Sequence, residues 1–234
     1  MRLIDEPILA KIRQRPQLCV SSMAKTTEQG TMTNTGTDDH EAFPVLVLAA
    51  GASRRMGRAK ALLPLSAGTL LDHAIGQAKQ LGTPVTVVAG GWYPLVRYRC
   101  RVQPSAWVFA RHWREGMSES LKAGLDSPGA RARGVFVVLL DQPLITPGAL
   151  ARLADAARRN PSRACAADLQ GKPGAPAYIP RHLWPQIMRL KGDRGAAAIL
   201  ASNGAATIAM TGAESDVDTP GDWSRVRRQL AEKS

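Results

Sequence analysis

Residues 45–64 read VLVLAAGASRRMGRAKALLP, and this stretch decides how the rest of the chain is interpreted. It opens with a short apolar run, which is typical of a strand buried on both faces, and continues into a loop with two glycines, Gly51 and Gly57. Glycines let backbone N–H groups approach an anion, and Ser53 adds a hydroxyl donor. The loop also carries four cations, Arg54, Arg55, Arg58 and Lys60. The stretch therefore predicts a strand followed by a phosphate-binding loop.

The spacing in this loop excludes two common phosphate-binding motifs. One residue too many separates Gly51 from Gly57 for a Walker A motif, and Arg58 stands where that motif requires lysine. The dinucleotide-binding pattern GxGxxG is absent as well. Taken alone, the loop is better explained as a basic surface turn with a glycine that caps a helix.

Apolar runs alternate with helical patterns from Phe43 onward. The runs that favour buried strands are residues 45–49, 85–89, 106–110 and 135–140, then shorter pieces at 164–167, 176–179 and 205–210. Helical patterns cover residues 70–81, 92–101, 118–125, 147–159, 181–190, 194–201 and the basic C-terminus. Such alternation predicts an α/β fold, a single Rossmann-like domain whose central sheet is mostly parallel and has helices on both faces. A glycine loop, GKPGAP, is expected at residues 171–176.

Several chemically useful residues fall at one edge of this predicted sheet. Ligands of such sheets bind beyond the carboxyl ends of the strands, where the loop after Ala49, the Gly90–Gly91 turn and Asp141 all lie. Asp216 and Asp218 form a second acidic group further along the chain. Mg²⁺ is usually held by one or two carboxylates together with substrate phosphates, so a phosphate loop with separated carboxylates suits Mg²⁺-dependent phosphate chemistry. Each aspartate alone is equally consistent with a turn or a helix cap.

Composition and charge limit the class of protein. The chain has 234 residues and a net charge of +12, of which residues 43–234 carry +13. Residues 1–42 are rich in Ser, Thr, Gly and Asn, which predicts a disordered tail before a domain at 43–234. Three cysteines without metal-ligand spacing, and no apolar stretch long enough to span a membrane, predict a cytoplasmic protein with reduced thiols. A basic domain suits an anionic partner, either a nucleotide, a phosphorylated metabolite or a nucleic acid.

The stretch LAAGASRRMGRAKALLPL resembles the signature of the molybdenum cofactor nucleotidyltransferases, LAAGxSxRMGxxKxLLP. Further blocks resemble that family in the same order: GTLLDHAI from Gly68, WREGMSESLKAGL from Trp113, VVLLDQPLITP from Val137, GKPGAP from Gly171, KGDRGAAAIL from Lys191 and DVDTPGDW from Asp216. The resemblance is strongest to the cytidylyltransferases (MocA-like) of the MobA-like NTP transferase superfamily. It implies a GT-A-like nucleotidyltransferase domain with a nucleotide-binding half at 43–160 and an acceptor-binding half at 161–234.

The resemblance also implies a reaction and a set of site residues. The reaction is Mg²⁺-dependent transfer of CMP from CTP to the terminal phosphate of molybdopterin, with release of pyrophosphate. The catalytic residues would be Arg55, Lys60 and Asp141, and the metal ligands Asp141 and Asp218. The nucleotide would contact Leu48, Ala49, Ala50, Gly51, Ser53, Arg55, Met56, Gly57, Lys60, Gly90, Ser118 and Ser120. The acceptor would contact Gly171, Gly174, Pro176 and Asp193.

The choice of nucleotide depends on Ala50, because the family uses LAAG for CTP and LAGG for GTP. The chain departs from the family at Ala110, Leu140 and Ala175, where asparagine, glycine and histidine are usual. Expected partners are CTP or another nucleoside triphosphate, molybdopterin or the molybdenum cofactor, and a recipient molybdoenzyme or its chaperone. Alternatives are a transferase that uses GTP or a sugar or alditol phosphate, a cofactor-binding chaperone, and a basic nucleic-acid-binding protein. An aromatic content of only 5% argues against the last.

Overall fold

The computed structural model describes residues 43–127 and 132–232. The predicted tail at residues 1–42 lies outside these ranges, so its disorder stays a prediction. Within them, Cys100 and Cys165 are buried free thiols. No helix of the described part of the chain is both long and apolar enough to cross a membrane.

The described chain contains a seven-stranded sheet and a small two-stranded one. The strands are β1 (Val45–Ala49), β2 (Pro64–Leu65), β3 (Gly68–Thr69), β4 (Val85–Ala89), β5 (Ala106–Phe109), β6 (Gly134–Leu139), β7 (Cys165–Leu169), β8 (Lys172–Pro180) and β9 (Ala206–Ala209). The order in the large sheet is β5-β4-β1-β6-β8-β7-β9. Strand β1 runs parallel to both neighbours, with Val47 opposite Val87 and Val138. Only β8 is antiparallel to its neighbours in this sheet, so the predicted mostly parallel sheet is confirmed.

Helices cover both faces of this sheet, as predicted. They are α1 (Leu70–Leu81), α2 (Leu95–Arg99), α3 (Met117–Leu125), α4 (Pro147–Arg159), α5 (Trp184–Ile187), α6 (Ala197–Ser202) and α7 (Pro220–Glu232). Alternate residues of β1 point to opposite faces, because side chains alternate along a strand. Val45 and Val47 pack in the core with α1, α4 and α7, whereas Leu46 packs in the core with α3, α5 and α6.

The glycine-rich segment GKPGAP is not the loop that its composition predicts. Residues 172–176 belong to β8, and Gly174 pairs with Ala167 of β7. A Cβ at Gly174 would lie 2.2 Å from Cδ1 of Leu169, so a close approach between strands accounts for this glycine. Only Gly171, with a φ of 81°, lies in the turn that joins β7 to β8. The helix predicted at 92–101 is also shorter, because residues 91–94 form a turn before α2.

Candidate active site

The loop after β1 is held in shape by its own residues. Two short 3₁₀ helices, Arg54–Met56 and Lys60–Leu62, follow Ser53, which has left-handed backbone angles. The Oγ of Ser53 accepts a hydrogen bond of 3.1 Å from the backbone N–H of Lys60. Met56 is 4% exposed and packs in the core, while Gly57 turns the chain with a φ of 70°. Met56 and Gly57 therefore fix the shape of the loop, and the polar groups of the loop lie at the carboxyl end of β1.

Four charged side chains from distant parts of the sequence meet at this loop. The Lys60 ammonium lies 2.9 Å from Oδ2 of Asp141 and 2.8 Å from Oδ1 of Asp218. The other oxygen of Asp218 lies 2.9 Å from a guanidinium nitrogen of Arg55. The Lys60 side chain is 11% exposed, whereas that of Arg55 is 73% exposed. All three residues predicted to be catalytic and both predicted metal ligands thus form one cluster.

Backbone contacts bring the two carboxylates together. Asp141 follows β6, and its carbonyl accepts a hydrogen bond of 2.9 Å from the N–H of Val217. The side chain of Gln142 donates to the carbonyl of Ala213 at 2.8 Å, which joins the same two segments again. Asp218 lies two residues before α7 begins, and its carboxylate accepts a hydrogen bond from Lys60. Sequence analysis gave Gln142 no role, and its position next to Asp141 was the only available signal.

The charges in the cluster stabilise one another. Burial lowers the pKa of Lys60, but the neighbouring Asp141 and Asp218 carboxylates outweigh this effect and raise the pKa above its ordinary value. The hydrogen bond from Lys60 lowers the pKa of Asp218, and the Lys60 and Arg55 charges act in the same direction. Lysine therefore stays protonated and Asp218 ionised near neutral pH. Asp216, the other aspartate of the DVD sequence, is exposed as a residue, but burial of its carboxyl group and the neighbouring Asp141 charge raise its pKa above its ordinary value.

The carboxylates of this cluster are chemically suited to a divalent cation. Oδ1 of Asp141 is buried and has no hydrogen-bond partner among the described residues, so it can accept a further ligand. Mg²⁺ and similar hard cations prefer carboxylate oxygens, and one or two protein carboxylates suffice when phosphates complete the coordination. No group of three or more His, Cys, Asp or Glu side chains within residues 43–127 and 132–232 could hold a metal on its own. A cation at Asp141 and Asp218 would therefore need oxygen ligands from a substrate.

A cleft of about 470 Å³ opens beside the cluster. Eleven residues with a predicted site role line it, namely Leu48, Ala49, Ala50, Gly51, Ser53, Arg55, Lys60, Ser120, Asp141, Asp193 and Asp218. The cleft thus combines the loop, both carboxylates and one residue predicted to contact the acceptor.

The other residues with a predicted role lie outside the lining of this cleft. They are Met56, Gly57, Gly90, Ser118, Gly171, Gly174 and Pro176. Gly90 packs behind the cleft, where a Cβ would lie 2.4 Å from the carbonyl oxygen of Ala50. Ser118 is fully buried, and its N–H donates to the carbonyl of Gly192 at 3.1 Å. Gly171, Gly174 and Pro176 belong to the β7–β8 hairpin.

Sequence analysis assigned no role to one wall of the cleft. Trp113, Arg114, Gly116 and Met117 form this wall. The Arg114 guanidinium lies 4.7 Å from the centre of the Trp113 ring, a cation–π contact. A Cβ at Gly116 would lie 2.3 Å from the carbonyl carbon of Gly192, so this glycine allows the 192–193 segment to approach the cleft. The signal was present in the WREGM sequence, but nothing local showed which of its side chains face a ligand.

The sequence model of a protein family, the MobA-like NTP transferase domain, matches residues 45–207 of this chain. The chain belongs to this family of nucleotidyltransferases. The predicted superfamily is therefore confirmed, whereas the cytidylyltransferase branch stays a prediction.

Two curated relatives differ in how much of the chain they match. A probable molybdenum cofactor guanylyltransferase from Mycobacterium avium is 36% identical over 104 residues, 44% of this chain. The chain spans only about half of that relative, 51% of its length. The purine catabolism protein PucB of Bacillus subtilis is 28% identical over 206 residues, 79% of this chain and 95% of PucB.

Solved structures agree with the fold. Rv0371c from Mycobacterium tuberculosis superposes with a TM-score of 0.69 at 26% identity, over 80% of this chain and 98% of Rv0371c. The structure of that protein in complex with manganese superposes with a TM-score of 0.66 at 27% identity, over the same shares of the two chains. The nucleotidyltransferase-type fold predicted from the sequence is confirmed.

Proposed function

We propose that this protein transfers CMP from CTP to the terminal phosphate of molybdopterin, or of its molybdenum-bearing form, and releases pyrophosphate. The observation that carries the proposal is the convergence of Arg55, Lys60, Asp141 and Asp218 at the mouth of the loop after β1. Cations that can bind phosphates and carboxylates that can bind a divalent cation stand within one cleft of about 470 Å³.

The reaction is an in-line displacement at phosphorus. A terminal phosphate oxygen of the acceptor, already anionic, attacks the α-phosphorus of CTP; a new phosphorus–oxygen bond forms, and the bond to the β-phosphate oxygen breaks. Pyrophosphate leaves with that electron pair, so no general base is required. The protein's contribution is to orient both substrates and to neutralise charge in the transition state.

Each charged group of the cluster has a task in this displacement. Backbone N–H groups between Ala50 and Gly57 would surround the β- and γ-phosphates, and Arg55 and Lys60 would bind their oxygens. Asp141 and Asp218 would hold Mg²⁺. A divalent cation bound there supplies neutralisation of the charge on the α-phosphate oxygens.

Ala50 carries the proposed preference for CTP. Its side chain is 4% exposed and packs in one cluster with Val88 and Ala110. Ala50 also lines the cleft, and we propose that its methyl group leaves less room for a base than glycine would. The smaller pyrimidine of CTP suits that space better than a purine.

The acceptor side of the cleft would involve Asp193 and the β7–β8 hairpin. Asp193 lines the cleft directly. Because β8 is antiparallel to β6, the hairpin turn at Gly171 lies at the same edge of the sheet as the carboxyl end of β6. A large acceptor bound next to Asp141 would extend toward Gly171, Gly174 and Pro176.

Pyrophosphate release from CTP, GTP and ATP, each with molybdopterin and Mg²⁺, tests the proposal. We expect release with CTP to exceed release with the other two nucleotides and to require both molybdopterin and Mg²⁺. Turnover with a sugar or alditol phosphate in place of molybdopterin would contradict the proposal that molybdopterin is the acceptor. Ala50→Gly is the matched variant, and it should shift the preference toward GTP.

A guanylyltransferase is the second candidate, because the relative from Mycobacterium avium with that name is 36% identical over 104 residues. The same assay separates the two candidates. Preferential release of pyrophosphate from GTP by the natural chain would replace the first proposal with this one.

A further inference from the structure

The Lys60 ammonium bonds the same two carboxylates that are suited to hold a divalent cation. It lies 2.9 Å from Asp141 and 2.8 Å from Asp218, and so it bridges the pair. Arg55 contacts only Asp218 and is largely exposed. Lys60 is therefore the one cation of this cluster that a metal bound to both carboxylates would have to displace.

The groups that form ion pairs in the cluster balance one another without any further ion, and the Asp216 carboxylate also lies close enough to interact with their charges. Two carboxylates, Asp141 and Asp218, face two cations, Lys60 and Arg55. A divalent cation added alone would bring two unbalanced positive charges into a cleft where the Lys60 side chain is 11% exposed. A triphosphate carries more negative charge than the cation carries positive charge, so it offsets the added positive charge and offers the Lys60 ammonium new anionic partners.

The Lys60 side chain can also move from the two carboxylates to the phosphate oxygens of a bound nucleotide. Its backbone is fixed, because its N–H donates to Ser53 and Leu63 donates to its carbonyl. Its four-carbon side chain is flexible and ends in a compact charge. The ammonium can thus leave the carboxylates for phosphate oxygens in the same cleft while the loop keeps its shape.

We infer that Lys60 is a built-in counter-ion that keeps free divalent cations off Asp141 and Asp218 until a nucleoside triphosphate gives its ammonium new partners. This inference rests on the proposed function, because it takes the two aspartates as the metal ligands. Binding of the metal and of the nucleotide is consequently coupled, and the coupling runs through Lys60. By thermodynamic reciprocity, each ligand raises the affinity for the other by the same factor.

The first experiment measures binding of Mn²⁺ to the full chain without nucleotide, by electron paramagnetic resonance. Lys60→Met should bind Mn²⁺ at least tenfold more tightly than the natural chain, a difference of about 1.4 kcal/mol. Lys60→Arg retains the charge and should bind Mn²⁺ as weakly as the natural chain. Lys79→Met, which removes an exposed lysine of α1, is the matched control and should change nothing. Circular dichroism verifies that each variant is folded.

The second experiment measures the affinity for radiolabelled CTP by equilibrium dialysis, with and without Mn²⁺. In the natural chain Mn²⁺ should raise the CTP affinity at least tenfold more than it does in Lys60→Met. Equal enhancement in both proteins, or tight binding of Mn²⁺ alone to the natural chain, would overturn the role of Lys60 and leave the proposed metal site intact. The natural chain alone decides the latter point, even if Lys60→Met does not fold. Failure of every variant to bind Mn²⁺ with CTP present would instead remove the metal site and the proposed function.

Discussion

Helices α1 and α7 begin with the same kind of N-terminal cap, but the two caps have different surroundings. Thr69 and Asp72 form a capping box at α1, and Thr219 and Asp222 form the equivalent contacts at α7. The aspartate N–H donates to the threonine hydroxyl at 3.2 Å in both helices, and the hydroxyl donates to the aspartate at 2.8 Å. A Thr-x-x-Asp sequence therefore marks where each helix starts.

The two boxes differ in what surrounds them. Asp72 is 4% exposed, and its second oxygen accepts hydrogen bonds from the backbone of Arg101 and Val102. The second oxygen of Asp222 pairs instead with the exposed Arg225. The residue before Thr69 is Gly68, where a Cβ would lie 2.8 Å from the Asp72 carboxylate, but the residue before Thr219 is Asp218 of the cleft. One cap connects parts of the core, and the other supports a carboxylate of the site.

Asp141→Asn tests a carboxylate of the cleft, in contrast to the capping carboxylate Asp72. We expect it to have the largest effect on turnover. Turnover should fall by on the order of 10³-fold, because a charge that would neutralise the transition state through the bound cation is lost. The melting temperature should stay close to that of the natural chain. Pyrophosphate release and thermal unfolding measure the two quantities. Activity within tenfold of the natural chain in Mg²⁺ would exclude Asp141 as a metal ligand.

Asp72→Asn should lower stability and leave turnover unchanged, the opposite of the result expected for Asp141→Asn. The amide cannot accept all the hydrogen bonds that the buried carboxylate accepts, so the free energy of unfolding should fall by about 2–3 kcal/mol. The kcat of the folded fraction should be unchanged, because Asp72 does not line the cleft. Urea unfolding and steady-state kinetics check the prediction. A loss of kcat without loss of stability would show that the α1 cap also serves the site.

Thr69→Ala and Thr219→Ala form a matched pair that removes the same hydroxyl from each box. Each should cost about 1 kcal/mol of unfolding free energy, the usual value for an N-cap. Only Thr219→Ala should also lower kcat/KM several-fold, because Asp218 precedes that cap and contacts Lys60. Equal kinetics for the two variants would mean that Asp218 is held in place without the cap.

The smallest expected effect concerns acid stability. Burial raises the pKa of Asp72, but hydrogen bonds from Val102 and Thr69 outweigh it and leave the pKa below its ordinary value. The carboxylate therefore contributes stability that is present above about pH 4, the usual aspartate range, and is lost as the pH falls through its folded-state pKa. The difference between the urea midpoints of the natural chain and Asp72→Asn should be smaller at pH 3 than at pH 5. A constant difference between them would contradict the shift.

Local signals account for the parts of the fold that the sequence predicted best. The apolar runs of β1 and β4 and the helices α1 and α4 have the predicted bounds. Thr69 and Thr146 accept hydrogen bonds from their own helices, and Pro147 stands in the first turn of α4. Burial of an apolar run, a cap and a first-turn proline each act within a few residues, so they can be read without knowledge of the fold.

Long-range contacts account for what the sequence did not predict. Gly174 occupies a strand because Leu169 of the neighbouring strand approaches it, and only the folded pairing contains that information. The bridge from Lys60 to Asp141 and Asp218 joins residues 81 and 158 positions apart. The resemblance assigned roles to all three but not their mutual pairing. Trp113 and Arg114 were missed because they lie in a 3₁₀ helix, Trp113–Glu115, which is too short to show a periodic pattern.

The antiparallel position of β8 has a further consequence for how such a protein can diversify. Because β8 runs in the reverse direction, the β7–β8 turn at Gln170 and Gly171 lies at the same edge of the sheet as the carboxyl end of β6. Residues inserted into this turn would extend the protein at that edge of the sheet and leave the register of the sheet unchanged. A longer β7–β8 hairpin could therefore change which acceptor a related protein binds, while the groups that bind the nucleotide stay the same.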